Sequence, residues 1–225
     1  YPEQSGSGTS KNIAMLLGCP GTSTWATLAG GGLRGAIRLS ATLAIVVAGG
    51  NVYEVRSDGT FTQIGSIANR TTPVSMAYNG TVVMLVTGPE GYFVDPVANT
   101  VTQIADPDFV GADRVEFVDG YFVFNYPSTG KFQITQLYGT SIDALDFATA
   151  EGSPDLLVTL IANQRELWLL GQTSTEIFFN SGATDFPFER VQGAFIEQGC
   201  AAKYSVAKAN NSVFWLTADD RGQGM

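Results

Sequence analysis

Three features of the sequence predict an all-β chain, and within that class a β-propeller built from four-stranded antiparallel blades. Strong turn signals recur at near-regular intervals, the segments between them are rich in β-branched and aromatic residues, and the order of turns inside each unit repeats. The leading turns start at 40, 79, 119, 163 and 210, steps of 39, 40, 44 and 47 residues, and the triplet Thr-Gln-Ile at 62–64 returns 40 residues later at 102–104. A period near 40 is that of a four-stranded blade. A β-sandwich with evenly spaced hairpins is the alternative; the repeated internal order of turns favours the propeller.

The clearest unit is DRVEFVDGYFVFNYPSTGKFQIT at 113–135. Asp119-Gly120 interrupts its apolar run, and Asp-Gly suits a type I′ hairpin, which needs positive φ at both central residues. Ser128-Thr129-Gly130 breaks the next strand, after which Phe132 and Ile134 resume at alternate positions. The same phrase is present as Asn79-Gly80 before TVVMLV, as Asn163-Gln164 before RELWLLG, and as Asn210-Asn211 before SVFWLT with a break at Asp219-Asp220. A weaker copy runs from Ser40 through LAIVV, Gly49-Gly50, VYEV and Asp58-Gly59 to FTQI.

Taken in order, residues 1–12 are a polar lead-in, and 15–28 read as a short strand, a Pro20-Gly21 turn and a strand carrying Trp25. Gly30, Gly31 and Gly32 form a loop without the strand–GxGxxG–helix context of a dinucleotide site. The expected division is therefore 1–35 for the lead-in and first strands, and 36–225 for about four blades and part of a fifth, the last unit breaking off at Met225 as in a fragment of a longer chain. Pro73, Pro107 and Pro154 punctuate the joins. The third and fourth units are longer, with extra residues at 136–156 and 180–203 that read as loop insertions, the first with room for a helical turn at 142–149. Insertions in repeat proteins gather on one face, often the binding face. Phe186, Phe188 and Phe195 in the second insertion are the candidate interface loop; the alternative is that they pin the loop to its own blade. Phe122, Phe124, Leu167, Trp168, Leu169, Phe178, Phe214 and Trp215 are expected to pack between blades, because their strands read as near-continuous apolar runs.

Composition narrows the function. The chain of 225 residues carries 12 Lys and Arg against 21 Asp and Glu, a net charge of −9, without a basic cluster. Non-specific nucleic-acid binding draws on Lys and Arg that release counterions, so this balance argues against a DNA grip. The absence of histidine excludes Ser-His-Asp and Cys-His nucleophile systems and His-containing metal sites. Cys19 and Cys200 are too few and too far apart to read as a metal site, and two reduced buried thiols are expected. Asp143, Asp146, Glu151 and Asp155 form a local acidic group that no spacing rule makes converge as a glycosidase pair, and they read as a solvated face. Asp219-Asp220-Arg221-Gly222 lacks the ligand series of a calcium loop and reads as a turn. No apolar run is long enough to span a membrane. No catalytic, cofactor-binding or metal residues are assigned.

From about 113 onward the blocks DGYFVFNYPSTGKFQIT, ALDFATAEGSPDLLVTLI, RELWLLGQTSTEIFFNSG, DFPFERVQGAFIEQGCAAKYSVAK and VFWLTADDRGQG, in that order, resemble the packaged-DNA stabilisation proteins of short-tailed bacteriophages, the tail hub or nozzle family. The opening YPE and GCPGTSTW are similar to that family's amino-terminal pattern, and 30–112 share the blade rhythm. The resemblance implies a structural, non-enzymatic virion protein: a homo-oligomeric ring, a hexamer, in the phage tail. It would attach below the portal-bound adaptor, meet tail needle or tailspike proteins, and let DNA pass through its channel without specific binding. A propeller-fold carbohydrate-active enzyme and a host-binding scaffold are the alternatives, since a fold alone does not give a function.

Overall fold

The computed structural model describes residues 2–4, 14–16 and 21–218. β1 (Pro2–Gln4) pairs antiparallel with β2 (Ala14–Leu16). Four antiparallel four-stranded sheets follow, each with its strands in sequence order. Blade 1 is β3 (Leu33–Arg38), β4 (Leu43–Ala48), β5 (Asn51–Arg56) and β6 (Phe61–Ser66). Blade 2 is β7 (Ser75–Tyr78), β8 (Val83–Val86), β9 (Gly91–Asp95) and β10 (Thr100–Gln103). Blade 3 is β11 (Val115–Val118), β12 (Tyr121–Asn125), β13 (Lys131–Thr135) and β14 (Ile142–Thr149). Blade 4 is β15 (Leu157–Asn163), β16 (Glu166–Gly171), β17 (Thr175–Asn180) and β18 (Phe188–Ile196). Two further pairs complete the described chain: β19 (Gly199–Cys200) with β22 (Thr217–Ala218), and β20 (Ala207–Ala209) with β21 (Ser212–Phe214).

The first strands of successive blades touch: β3 meets β7, β7 meets β11, and β11 meets β15. They line the propeller axis in a row, and each fourth strand lies at the outer edge of its sheet. The Ser75 hydroxyl spans the first strands of blades 2 and 3, donating to the Val115 carbonyl at 3.2 Å and accepting the Val115 N–H at 3.1 Å.

The apolar runs follow from this packing. Successive side chains on a strand point to opposite faces, and each face of a blade is covered by its neighbour. In β4, Ile45 and Val47 enter the core between blades 1 and 2. In β8, Val83 and Leu85 enter that same core, while Met84 and Val86 enter the next. In β12, Phe122 and Phe124 face blade 2 and Val123 faces blade 4. In β16, Leu167 and Leu169 face blade 3, whereas Leu170, with half-buried Trp168, faces the segment that follows blade 4. The second strand of each blade is therefore apolar through its centre, at about 1.5–3 kcal/mol for each large side chain buried.

The outermost faces are covered too. Ala48, Tyr53 and Val55 of blade 1 meet Leu28, and the Tyr53 hydroxyl donates to the Ala29 carbonyl at 2.9 Å. Ile161 and Leu170 of blade 4 pack with Cys200, Val206, Val213 and Trp215.

The turns agree with the sequence in chemistry. Asp119 and Gly120 have φ of 50° and 94°, and Asn210 and Asn211 have 48° and 61°, the signs a type I′ hairpin requires. The turn expected at Asn163-Gln164 lies one residue later, at Gln164-Arg165, with φ of 49° and 69°.

Several expectations are corrected. The stretches at 136–156 and 180–203 are not loop insertions, and 142–149 is not helical: they hold β14 and β18, the fourth strands of blades 3 and 4. An outer-edge strand has one paired neighbour and a solvent side, so its apolar signal is weak and Asp143, Ala144 and Leu145 are exposed. Residues 21–28 form no strand, and Trp25 is 60% exposed. Phe214 is 57% exposed rather than packed between blades, and Trp168 is only partly buried. Trp215 is likewise only partly buried, edge-on against Trp168 at 6.3 Å, whereas Phe122, Phe124, Leu167, Leu169 and Phe178 are buried as expected. Cys200 is buried with a free thiol that donates to the Ala202 carbonyl at 3.1 Å. Cys19 and the break at Asp219-Asp220 lie outside the described residues.

Candidate functional site

The structure separates the three phenylalanines of the candidate interface loop. Phe188 starts β18 and is buried, and Phe186 is half-buried beside it. Both rings pack on Phe132 of blade 3, at 6.5 and 5.7 Å, where Phe178 also meets Phe132 at 5.3 Å. They pin blade 4 to the preceding blade. Phe195, near the far end of β18, is 37% exposed. Its ring comes against Gly152, where an added Cβ would stand 2.8 Å from the ring and 2.9 Å from both Arg190 and Glu176.

Beside Phe195 a cleft of about 420 Å³ opens, lined by Thr149, Glu151, Glu176, Phe178, Arg190 and Gln192. Glu176 is 2% exposed yet fully engaged: it accepts the Gly152 N–H at 2.8 Å and an Arg190 guanidinium hydrogen at 3.2 Å. A carboxylate held by two donors is an anchor, tying β17 to β18 and to the turn at Gly152. Asp155, from the acidic group at 143–155, accepts from the backbone and hydroxyls of both Thr173 and Ser174 at 2.8–3.3 Å and closes the β16–β17 turn. Burial and the neighbouring Asp143 push the Asp146 carboxyl up. Among the described residues no three of His, Cys, Asp or Glu gather as metal ligands.

The second polar concentration lies where the first strands begin, at one mouth of the axis. Arg34 at the start of β3 is 6% exposed, with Nε donating to the Thr72 carbonyl and Nη1 to the Gly49 and Ala68 carbonyls, each at 2.8 Å. Burial, aided by the charge of Arg70, pulls its pKa down. Arg70 is ion-paired with Glu90, and that hydrogen bond holds the Glu90 carboxyl below its usual range. The segment between β19 and β20 crosses this mouth. Lys203 pairs with Asp113 at 2.6 Å, the Tyr204 hydroxyl donates to the Pro73 carbonyl at 3.2 Å, and the Arg114 guanidinium stands over the Tyr204 ring at 5.4 Å. Further along β11, burial pushes the Glu116 carboxyl up, with Lys208 of β20 3.9 Å away.

Sequence reading missed this mouth, because its residues are scattered from 34 to 208. One signal was present: Arg34 and Arg114 stand 80 residues apart, two blade periods, at equivalent places before or at the start of a first strand. The opposite end of the row of first strands carries another inter-blade tie, Arg165 to Asp119 at 2.9 Å, linking the hairpin turns of blades 4 and 3.

Solved structures with the same fold are distant in sequence. YCF48 bound to D1 peptide matches with a TM-score of 0.58 at 13% identity, over 84% of this chain and 63% of that one. The computationally designed Ika8 protein gives 0.51 at 11% identity, over 83% and 55%. PorZ, a surface component of the type-IX secretion system of Porphyromonas gingivalis, gives 0.51 at 15% identity, over 85% and 26%. The chain thus spans between 26% and 63% of these proteins' described lengths, and identities this low establish the fold alone. No curated protein matches the sequence. A family model matches almost the whole chain, residues 4–224. With its blades in sequence order and alternate strand positions feeding successive inter-blade cores, the chain belongs to the phage stabilisation family described as Bacteriophage P22 Gp10, beta-propeller.

Proposed function

We propose that the chain is a tail hub, or nozzle, subunit of a short-tailed phage, acting by assembly rather than by catalysis. Six copies form a ring in the virion tail below the portal-bound adaptor, a tail needle or tailspike proteins engage the ring, and packaged DNA passes through its channel without specific binding. The observation that carries this reading is the family match over residues 4–224, to a family of phage structural proteins named for stabilisation. Residues 1–35 then serve as a lead-in and 36–225 as the blades.

Charge supports the mechanism. Packaged DNA must be retained and then released quickly, and every Lys or Arg contact to phosphate adds affinity that slows exit. A subunit at −9 repeated around a ring makes a wall that does not grip DNA. Retention then rests on the closure below and the adaptor above. Phe195, exposed beside the blade 3–blade 4 cleft, is the interface residue of the three phenylalanines, while Phe186 and Phe188 hold its platform. The test is duplex-DNA binding by the purified ring at about 50 and 200 mM salt. A phosphate-gripping wall with 6–10 contacts loses roughly 10³- to 10⁵-fold in affinity over that range. Weak binding at both salts is expected; tight binding at low salt with that loss would refute the non-gripping wall.

A further inference from the structure

The axial mouth holds more positive charge than its own carboxylates balance. Five cations, Arg34, Arg70, Arg114, Lys203 and Lys208, meet three carboxylates, Glu90, Asp113 and Glu116. The carboxylates pair with Arg70, Lys203 and Lys208, so among the described residues Arg34 and Arg114 have no carboxylate in direct contact, and five less three leaves two positive charges. Both guanidinium groups also keep a buried nitrogen without a hydrogen-bond partner, Nη2 of Arg34 and Nε of Arg114. Arg34 is held rigidly by three backbone carbonyls, so its Nη2 cannot turn away to find a partner. Tyr204 links the two: its ring faces Arg114 at 5.4 Å, and its hydroxyl donates to the Pro73 carbonyl, next in the chain to the Thr72 carbonyl that holds Arg34 Nε.

Unpaired buried charges with unmade hydrogen bonds are costly, and an incoming anion that meets both requirements recovers that cost. Guanidinium forks fit oxyanions, and two uncompensated charges match a phosphate group, which carries about −1.5 to −2 near neutral pH. We infer that Arg34 and Arg114 form a binding site for a single phosphate group at the mouth of the propeller axis, with the Tyr204 ring as its lid. The lid is fastened by one hydrogen bond, from the Tyr204 hydroxyl to the Pro73 carbonyl, and the residue is half-exposed, so it can swing without breaking the blades. A free phosphate or a terminal phosphate monoester supplies the matching charge, whereas each phosphodiester of a duplex backbone carries a single negative charge, so the site is compatible with a wall that lets DNA slide.

The test is a calorimetric titration of the purified full-length protein with inorganic phosphate, ionic strength held constant with sodium chloride. Saturable binding is expected, weakened about tenfold or more in Arg114→Gln, since a hydrogen bond to a charged group carries at least that much. Arg114→Lys keeps the charge but lacks Nε, and should bind at an intermediate level; it also serves if the Gln variant folds poorly. Tyr204→Ala should keep the affinity and speed association. Arg38→Gln, at the other end of β3, should bind as the parent does. Short single strands with and without a 5′-phosphate identify the source: competition by the phosphorylated strand alone marks a monoester end, and competition by neither marks free phosphate. Heat that does not saturate, equal losses in Arg114→Gln and Arg38→Gln, or competition by a duplex lacking terminal phosphates would overturn the site.

Discussion

Phe132→Ala is the most informative single perturbation of the fold. Phe132 is fully buried on β13 and joins blades 3 and 4 through the rings of Phe178, Phe186 and Phe188, at centroid distances of 5.3, 5.7 and 6.5 Å. Truncating a buried phenylalanine costs about 3–5 kcal/mol in lost transfer energy and cavity. Three aromatic partners lose their edge-to-face contacts together, which places this site toward the upper end. In a domain of about this size each kcal/mol lowers Tm by roughly 2–4 °C, so a fall of about 6–20 °C is expected. Two controls calibrate the scale. Phe214→Ala removes a ring that is mostly in solvent and should change stability by no more than about 0.5 kcal/mol. Trp168→Ala, half-buried against Trp215, should fall between them. Calorimetric scans and denaturant melts of the purified protein read all three. A loss under about 1 kcal/mol for Phe132→Ala, or a larger loss for Phe214→Ala, would refute the assignment of alternate strand positions to successive inter-blade cores.

Three further outcomes are expected. Gly120→Val puts a branched side chain at φ 94° and its Cβ 2.5 Å from Leu137, so the β11–β12 hairpin should lose amide-exchange protection selectively; unchanged protection would mean the turn is not type I′. Because Arg70 and Thr87 hold the Glu90 carboxyl below its usual range, its charged form contributes stability that is present above the unfolded pKa of about 4.3 and lost as pH falls through the folded value. Glu90→Gln should therefore be less stable than the parent at neutral pH, with the difference closing at acid pH in paired urea melts; a constant difference would contradict the pairing. Phe195→Glu should weaken subunit association by about tenfold or more with the monomer fold intact, whereas Phe188→Glu, by placing a charge in the blade 3–blade 4 core, should unfold the chain. Sedimentation and circular dichroism together separate the two cases.

The parts of the fold legible in the sequence are those where backbone chemistry or burial on both faces leaves little choice. Asp119-Gly120 and Asn210-Asn211 declare their hairpins because few residues tolerate positive φ in succession. YFVF at 121–124 declares a middle strand because neighbours cover both of its faces. Outer strands do not declare themselves: IDALDFAT at 142–149 pairs on one side only, so its polar residues read as a loop. Phe214 and Trp168 escape the apolar-run rule because an apolar strand does not say whether its second face is covered, and in this part of the chain the cover is partial. In the candidate interface loop, Phe186 and Phe188 belong to the junction of two blades, a contact between residues 132 and 186–188 that local reading does not reach. The axial mouth is assembled by the blade repeat itself, from Arg34, Arg114 and a strap at 203–204. Its only local trace is the 80-residue spacing of two arginines.

Electron cryo-microscopy of the virion that carries the chain, with the blade architecture fitted to the tail density, decides whether this propeller is a ring subunit of the phage tail. Six copies are expected around the tail channel below the adaptor, with Phe195 at a contact between subunits or with a neighbouring tail protein and open space between the wall and the DNA. A chain missing from the tail, or present there as an isolated copy away from the channel, would contradict that assignment.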